Sequence, residues 1–142
     1  MQDDVLVNKA AIIEKCLQRI EKEYANNPVN IRENITRQDA IVFNLQRACE
    51  AAIDMAMHLV RKQGLGVPQE SREAFEFLAE AGLIPKKLAQ RLQSMVGFRN
   101  IAVHDYQSLN LDILQSILEK HLNDFRQWVK VILQKKKSGK KT

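Results

Sequence analysis

Glycine and proline are scarce in this 142-residue chain, at five and three residues. That is too few for the many tight turns of a β-sandwich or barrel. No apolar run approaches the roughly 20 residues a membrane span needs, so no membrane partner is expected. The opening stretch, MQDDVLVNKAAIIEKC, lacks the basic-then-apolar layout of a secretory leader. The two cysteines, Cys16 and Cys49, fall in apolar-periodic stretches with no partner at metal-ligand spacing. They are expected to be buried thiols in a reducing, cytoplasmic compartment. A glycine-rich phosphate loop, an HExxH pair and a CxxC pair are all absent, which removes the NTPase and zinc-hydrolase classes. What remains is 45% hydrophobic and 27% charged residues, enough apolar surface for one buried core and too much for a disordered chain.

The net charge of +5 is local. Lys135, Lys136, Lys137, Lys140 and Lys141 lie in the last eight residues, and taking those five from the 22 basic residues leaves 17 against 17 acidic ones. One domain is therefore expected over residues 1–134, followed by a basic tail at 135–142. The tail is either a solvated end or a non-specific grip on phosphates. A second local excess runs from Pro85 to Arg99, where Lys86, Lys87, Arg91 and Arg99 are the charged residues. It follows a segment carrying Glu70, Glu73, Glu76 and Glu80 against Arg72 alone. Either the two segments neutralise one another, or Lys86, Lys87 and Arg91 form a weak basic surface for an anionic partner.

Apolar periodicity and punctuation predict five helices. The first spans about Asp4 to Tyr24, burying Ile13, Cys16, Leu17, Ile20 and Tyr24, and stops at Asn26-Asn27-Pro28. Thr36 caps the second, whose inward face is Ile41, Leu45, Ala48, Ala52, Met55 and Leu59, with Gly64 at its C-terminal end. Its other side carries Arg47, Glu50, Asp54, His58 and Arg61, read as a solvated stripe. Ser71 caps a short third helix ending at Gly82. Pro85 opens the fourth, which buries Leu88, Leu92, Met95 and Val96 and runs toward Val103. Asn110 caps the fifth, with Leu111, Leu114, Leu118, Leu122, Phe125, Val129 and Ile132 on one stripe. Long amphipathic helices with short connections predict an all-α, up-and-down antiparallel bundle of four long helices and one short.

Glu50 and Asp54 could share a metal, but a di-metal bundle needs Glu-x-x-His motifs and none is present. His58 and His121 read as structural or surface histidines. The segment Gly97-Phe98-Arg99-Asn100-Ile101-Ala102-Val103-His104-Asp105-Tyr106 differs, placing a guanidinium, an imidazole, a carboxylate and a phenol within eight residues. On an ideal helix residues 99 and 104 lie about 140° apart. They share a site only if the helix ends or turns near Val103, or if a second copy of the chain supplies the facing groups.

Arg99, His104 and Tyr106 reproduce the R-x4-H-x-Y pattern of HEPN-domain proteins. Leu45 to Asp54, Gly97 to Tyr106, and Leu109 to Ile113 extend the likeness, and nearly the whole chain resembles the HepT-like HEPN toxins encoded beside a minimal nucleotidyltransferase (MNT) antitoxin. The lysine tail stands outside that pattern. The resemblance implies the HEPN fold, a homodimer that sets two motif copies around one cleft, and metal-independent endoribonuclease activity in a type VII toxin–antitoxin pair. Arg99 and His104 would be the catalytic pair acting on an RNA substrate, without a cofactor or metal. Tyr106 would be the residue on which the cognate nucleotidyltransferase places AMP.

Those roles suit the residues. RNA carries its own nucleophile, the 2′-hydroxyl, so cleavage needs proton management and charge stabilisation. Histidine moves protons near neutral pH, typically for about 10²–10⁴-fold in rate. Arginine offers a permanently charged fork that matches phosphate oxygens. Of the supporting residues Asn100 and Asp105, Asp105 either orients His104 or Arg99 or caps the helix end. Tyr106 could bond the phosphate, stack on a base or fill the cleft wall. The other readings are a non-catalytic helical subunit that docks a nucleotidyltransferase, and a nucleotide-binding regulatory bundle.

Overall fold

A computed structural model describes the chain over residues 3–139, with side chains described through residue 134. Helix α1 (Asp4–Tyr24) starts where Asp3 Oδ1 accepts from the amides of Val5 and Leu6, at 3.1 and 3.4 Å. It ends in two residues with left-handed backbone, Ala25 and Asn26. A one-turn helix, α2 (Val29–Arg32), follows, and then α3 (Ile35–Gln63), the longest element. Gly64 closes α3 at φ +64, the left-handed C-terminal position expected of it. Next come α4 (Ser71–Glu80), α5 (Lys86–His104), a 3-10 turn over Tyr106–Ser108, and α6 (Leu111–Ser116). A π-helical turn over Ile117–His121 carries α6 into α7 (Leu122–Gly139). The basic tail expected at 135–142 lies outside the described side chains.

Among the described residues all regular structure is helical, and the long elements pack as the expected antiparallel bundle. α1 lies along α3, α3 also meets α4 and α5, and α7 closes the bundle against α1 and α5. The apolar faces read from the sequence point inward: Ile13, Cys16, Leu17 and Ile20 of α1, Ile41, Leu45, Ala48 and Met55 of α3, and Leu88, Leu92 and Val96 of α5 are buried. Trp128 and Phe75 meet edge-on at 5.2 Å in the centre of the core. Trp128 was not on the predicted stripe. The π turn inserts an extra residue into the α6–α7 helix, and beyond it Leu122, Phe125, Trp128 and Ile132 are the buried apolar residues. Both thiols are buried as expected.

Several local predictions need correction. The residue before α3 is Asn34, whose Oδ1 accepts from the Arg37 amide at 3.0 Å, so Asn34 and not Thr36 is its cap. Glu70, not Ser71, precedes α4, with Glu73 Oε1 reaching back to the Glu70 amide at 3.1 Å. Pro85 sits at the N-cap of α5 in extended backbone, one residue ahead of its expected first-turn position. The one-turn α2 was not foreseen, since four residues carry no readable period. It docks on α6, where Arg32 bonds Asp112 at 2.6 Å and Gln115 at 2.9 Å.

The histidines outside the motif behave as structural residues. His58 Nε2 lies 2.8 Å from Asp3 Oδ2, and His121 Nδ1 lies 3.1 Å from Asp124 Oδ2. Asp54, a member of the solvated stripe, pairs with Lys9 at 3.0 Å. Among the described residues no group of three or more His, Cys, Asp or Glu is placed to hold a metal ion. No described helix is long and apolar enough to cross a membrane.

Candidate active site

The motif occupies the last two turns of α5 and the turn after it. The helix ends one residue past Val103, at His104, too late to bring His104 round to Arg99. The Asp105 amide still bonds the Ile101 carbonyl at 2.8 Å. Arg99 and His104 are therefore five steps apart on one regular helix, and their side chains leave it about 140° apart. Within one chain the helix does not turn them onto a common point.

Arg99 is half-buried and faces α4. Together with Arg72, Asn100, Val96, Glu70 and Ser71 it lines an open, mainly polar cleft of about 490 Å³. Its Nε is buried and has no hydrogen-bond partner among the described residues, an arrangement that costs stability unless something else supplies the acceptor. Burial pushes the neighbouring Cys49 thiol up to about 12, with the Arg99 charge pulling the other way. That thiol is inert at neutral pH. His104 is exposed at the C-terminal end of α5.

Asp105 leaves helical geometry at φ −154 and ψ 69. Its carboxylate accepts from the Ser108 hydroxyl at 2.5 Å and its carbonyl from the Ser108 amide at 3.0 Å. Asp105 is the residue at which α5 ends and the 3-10 turn begins, and neither of these contacts is with Arg99 or His104. The turn aims Tyr106 back toward α3, where its hydroxyl donates to Asp39 Oδ1 at 2.6 Å, with Gln38 Oε1 3.2 Å away. Gln38 is itself held, its side-chain amide donating to the Ile31 carbonyl of α2 at 2.6 Å. Burial and the Asp39 carboxylate both push the Tyr106 phenol well above the usual tyrosine range.

The basic residues at the start of α5 lie apart from this cluster. Lys86 and Lys87 stand about 26 Å of helical rise from His104. Lys86 borders a groove with Glu76 and Glu80, and Arg91 pairs with Asp124 at 3.7 Å.

Three residues near the motif were not singled out from the sequence: Gln38, Asp39 and Arg72. Nothing local marks Gln38 or Asp39. Arg72 did leave a signal, as the lone cation of an acidic segment opposite a glycine inside a helix. Gly97 sits mid-helix in α5, where glycine costs about 1 kcal/mol relative to alanine and so points to a close approach.

Comparison with known proteins places the chain in a family. The family described as "Ribonuclease HepT-like" matches residues 13–132. An mRNA nuclease HepT from Shewanella oneidensis is 48% identical over 130 residues, covering 92% of this chain and 97% of the relative. A putative RNase from Archaeoglobus fulgidus is 29% identical over 110 residues, covering 75% of this chain and 82% of its own. Among solved structures, a tri-AMPylated Shewanella oneidensis HEPN toxin in complex with an MNT antitoxin superimposes with a TM-score of 0.88 at 47% identity. That match covers 92% of this chain and 98% of the toxin.

Proposed function

The chain belongs to the HepT-like ribonuclease family, and from that premise we propose that it is the toxin of a toxin–antitoxin pair: a metal-independent endoribonuclease acting as a homodimer, silenced when a nucleotidyltransferase antitoxin attaches AMP to Tyr106. The observation that carries this reading is the placement of Arg99 and His104 on one unbroken helix, directed apart. A single chain offers RNA either a guanidinium or an imidazole at a given point. Two chains facing one another offer both, and a second imidazole as well.

The surface beside the motif suits such a partner. Ile101, Val103 and Ile113 are 48%, 43% and 53% exposed, an unusual run of aliphatic side chains at a polar corner. Next to them lies an apolar cleft of about 280 Å³ lined by Met95, Phe98 and Ile117. Burying these residues against a second copy would bring the two His104 side chains to one groove.

In that groove one His104 takes the proton of the RNA 2′-hydroxyl as its oxygen attacks the adjacent phosphorus. The other His104 gives a proton to the departing 5′-oxygen, and Arg99 stabilises the charge gathering on the phosphorane oxygens. The products are a 2′,3′-cyclic phosphate and a 5′-hydroxyl. Adding AMP to Tyr106 sets a bulky anion beside the same groove, opposing RNA by volume and by like charge.

The test is cleavage of end-labelled RNA by the purified chain in EDTA, with end-group analysis. Cyclic-phosphate and 5′-hydroxyl termini, lost in His104→Ala, are the expected result. Full inhibition by EDTA overturns metal independence. Equal inactivity of wild type and His104→Ala, with both folded and dimeric, leaves instead a subunit that docks a nucleotidyltransferase.

A further inference from the structure

The Tyr106 hydroxyl has one proton and faces two acceptors. Asp39 Oδ1 at 2.6 Å is the shorter contact, and Gln38 Oε1 at 3.2 Å completes the cradle. The orientation of Gln38 is set by its own bond to the Ile31 carbonyl, which turns the amide oxygen, not the nitrogen, toward the phenol. No donor to the Tyr106 oxygen is present among the described residues, so its lone pairs stay open to an electrophile. Asp39 is exposed and makes no ion pair among the described residues, leaving its full charge directed at the phenolic proton. A tyrosine whose proton is held this tightly is a poor nucleophile until a base removes that proton as the new bond forms.

We propose that Asp39 is the proton acceptor for nucleotidyl transfer to Tyr106, so that the toxin supplies part of the chemistry of its own silencing. The proposal rests on Tyr106 being the AMP acceptor. In the step, the Tyr106 oxygen attacks the α-phosphorus of a nucleoside triphosphate held by the antitoxin. The O–P bond to Tyr106 forms as the bond from that phosphorus to the pyrophosphate oxygen breaks. Pyrophosphate leaves with the electron pair, and the phenolic proton passes to Asp39 Oδ1. Gln38 holds the hydroxyl in line, and the short helix α2 fixes Gln38.

The test uses the full-length chain, its nucleotidyltransferase antitoxin and ATP, with AMP incorporation followed by intact mass across a pH series. Asp39→Asn keeps a hydrogen-bond acceptor of the same shape but cannot take the proton. It is expected to slow transfer by about 10²–10⁴-fold near neutral pH, with the rate recovering as pH rises and the phenol ionises unaided. Asp39→Glu is expected to recover most of the rate, and carries the test if the asparagine variant does not fold. Asp39→Asn modified at the wild-type rate overturns the proposal. So does a slow Asp39→Asn whose rate is flat with pH and is not rescued by glutamate, since that pattern marks lost position and not a lost base. Tyr106→Phe still labelled at the wild-type rate overturns the acceptor reading beneath the proposal. An unlabelled Tyr106→Phe beside a fully active Asp39→Asn overturns the role of Asp39 alone.

Discussion

The guanidinium of Arg72 lies directly against Gly97: a Cβ at Gly97 would come within 2.7 Å of Arg72 Nη2. Only a residue without a side chain lets that cation rest on α5, one turn before Asn100 and in the cleft that Arg99 also lines. The backbone side of Arg72 is held as well, its carbonyl accepting from Gln93 Nε2 at 3.0 Å. If the chain binds RNA as proposed, Arg72 adds a second positive charge to the cleft that Arg99 and Glu70 line, where it would hold the RNA backbone. Arg72→Ala is expected to weaken RNA binding about uniformly across sequences. The slope of log affinity against log salt should fall by about 0.7, the amount for one lost contact to a single strand. Gly97→Ala should weaken binding in the same direction by pushing Arg72 aside, with little further loss in the Arg72→Ala background. Equal and fully additive losses in a double-variant binding titration would show that the two positions act separately.

Asp3 joins the start of α1 to the end of α3. Burial alone would raise its carboxyl, but bonds from Lys62 at 2.9 Å and His58 at 2.8 Å hold it well below the usual aspartate range. A depressed folded value means the contribution is complete above the unfolded value of about 3.9 and is lost as pH falls toward the folded one. Asp3→Asn keeps a good N-cap and loses the charge. At pH 7 it is expected to be less stable by about 1 kcal/mol in urea unfolding. The gap should shrink as pH is taken below about 4, because the wild type is then losing the same charge. A gap that is constant from pH 7 to pH 3 would show that the ion pairs contribute nothing.

Trp128 is fully buried against Phe75, yet its indole N–H has no acceptor among the described residues. Trp128→Ala removes the largest core side chain and should cost about 3–5 kcal/mol. Trp128→Phe leaves a smaller void and removes a donor whose burial costs about 1–3 kcal/mol. The two effects oppose, so the phenylalanine variant should unfold within about 1.5 kcal/mol of wild type. A loss as large as that of alanine would mean the indole N–H is satisfied in solution.

The parts of the fold legible in the sequence were those carried by long periods and strong caps. The limits of α1, the end of α3 at Gly64 and the start of α6 at Asn110 follow from amphipathic spacing and local capping chemistry. The cap of α3 was misplaced because Asn34 and Thr36 are both competent and stand two residues apart. The π turn left no mark, since an i to i+5 bond changes the face of a helix without changing its residue types. The same division holds for the site. Arg99, His104 and Tyr106 sit within one short stretch and announce themselves by spacing. Asp39 meets Tyr106 across 67 positions of sequence, and Arg72 meets Gly97 across two helices; such contacts exist only once the bundle has packed.

One consequence of Arg99 and His104 pointing apart is that activity should belong to the pair of chains and not to either one. A dimer assembled from one wild-type and one His104→Ala chain, isolated through two different affinity tags, separates the possibilities. If each scission needs one imidazole as base and the other as acid, a single substitution disables the shared groove. The mixed dimer should then fall with the doubly substituted one, by about 10²–10⁴-fold in single-turnover cleavage, because residues that act as a unit do not lose activity additively. Adding the same tags to two wild-type chains controls for assembly. A mixed dimer that retains about half the wild-type rate would mean each chain cuts by itself. The about 140° between the two side chains would then have to be closed by movement of the Asp105–Ser108 turn within one subunit.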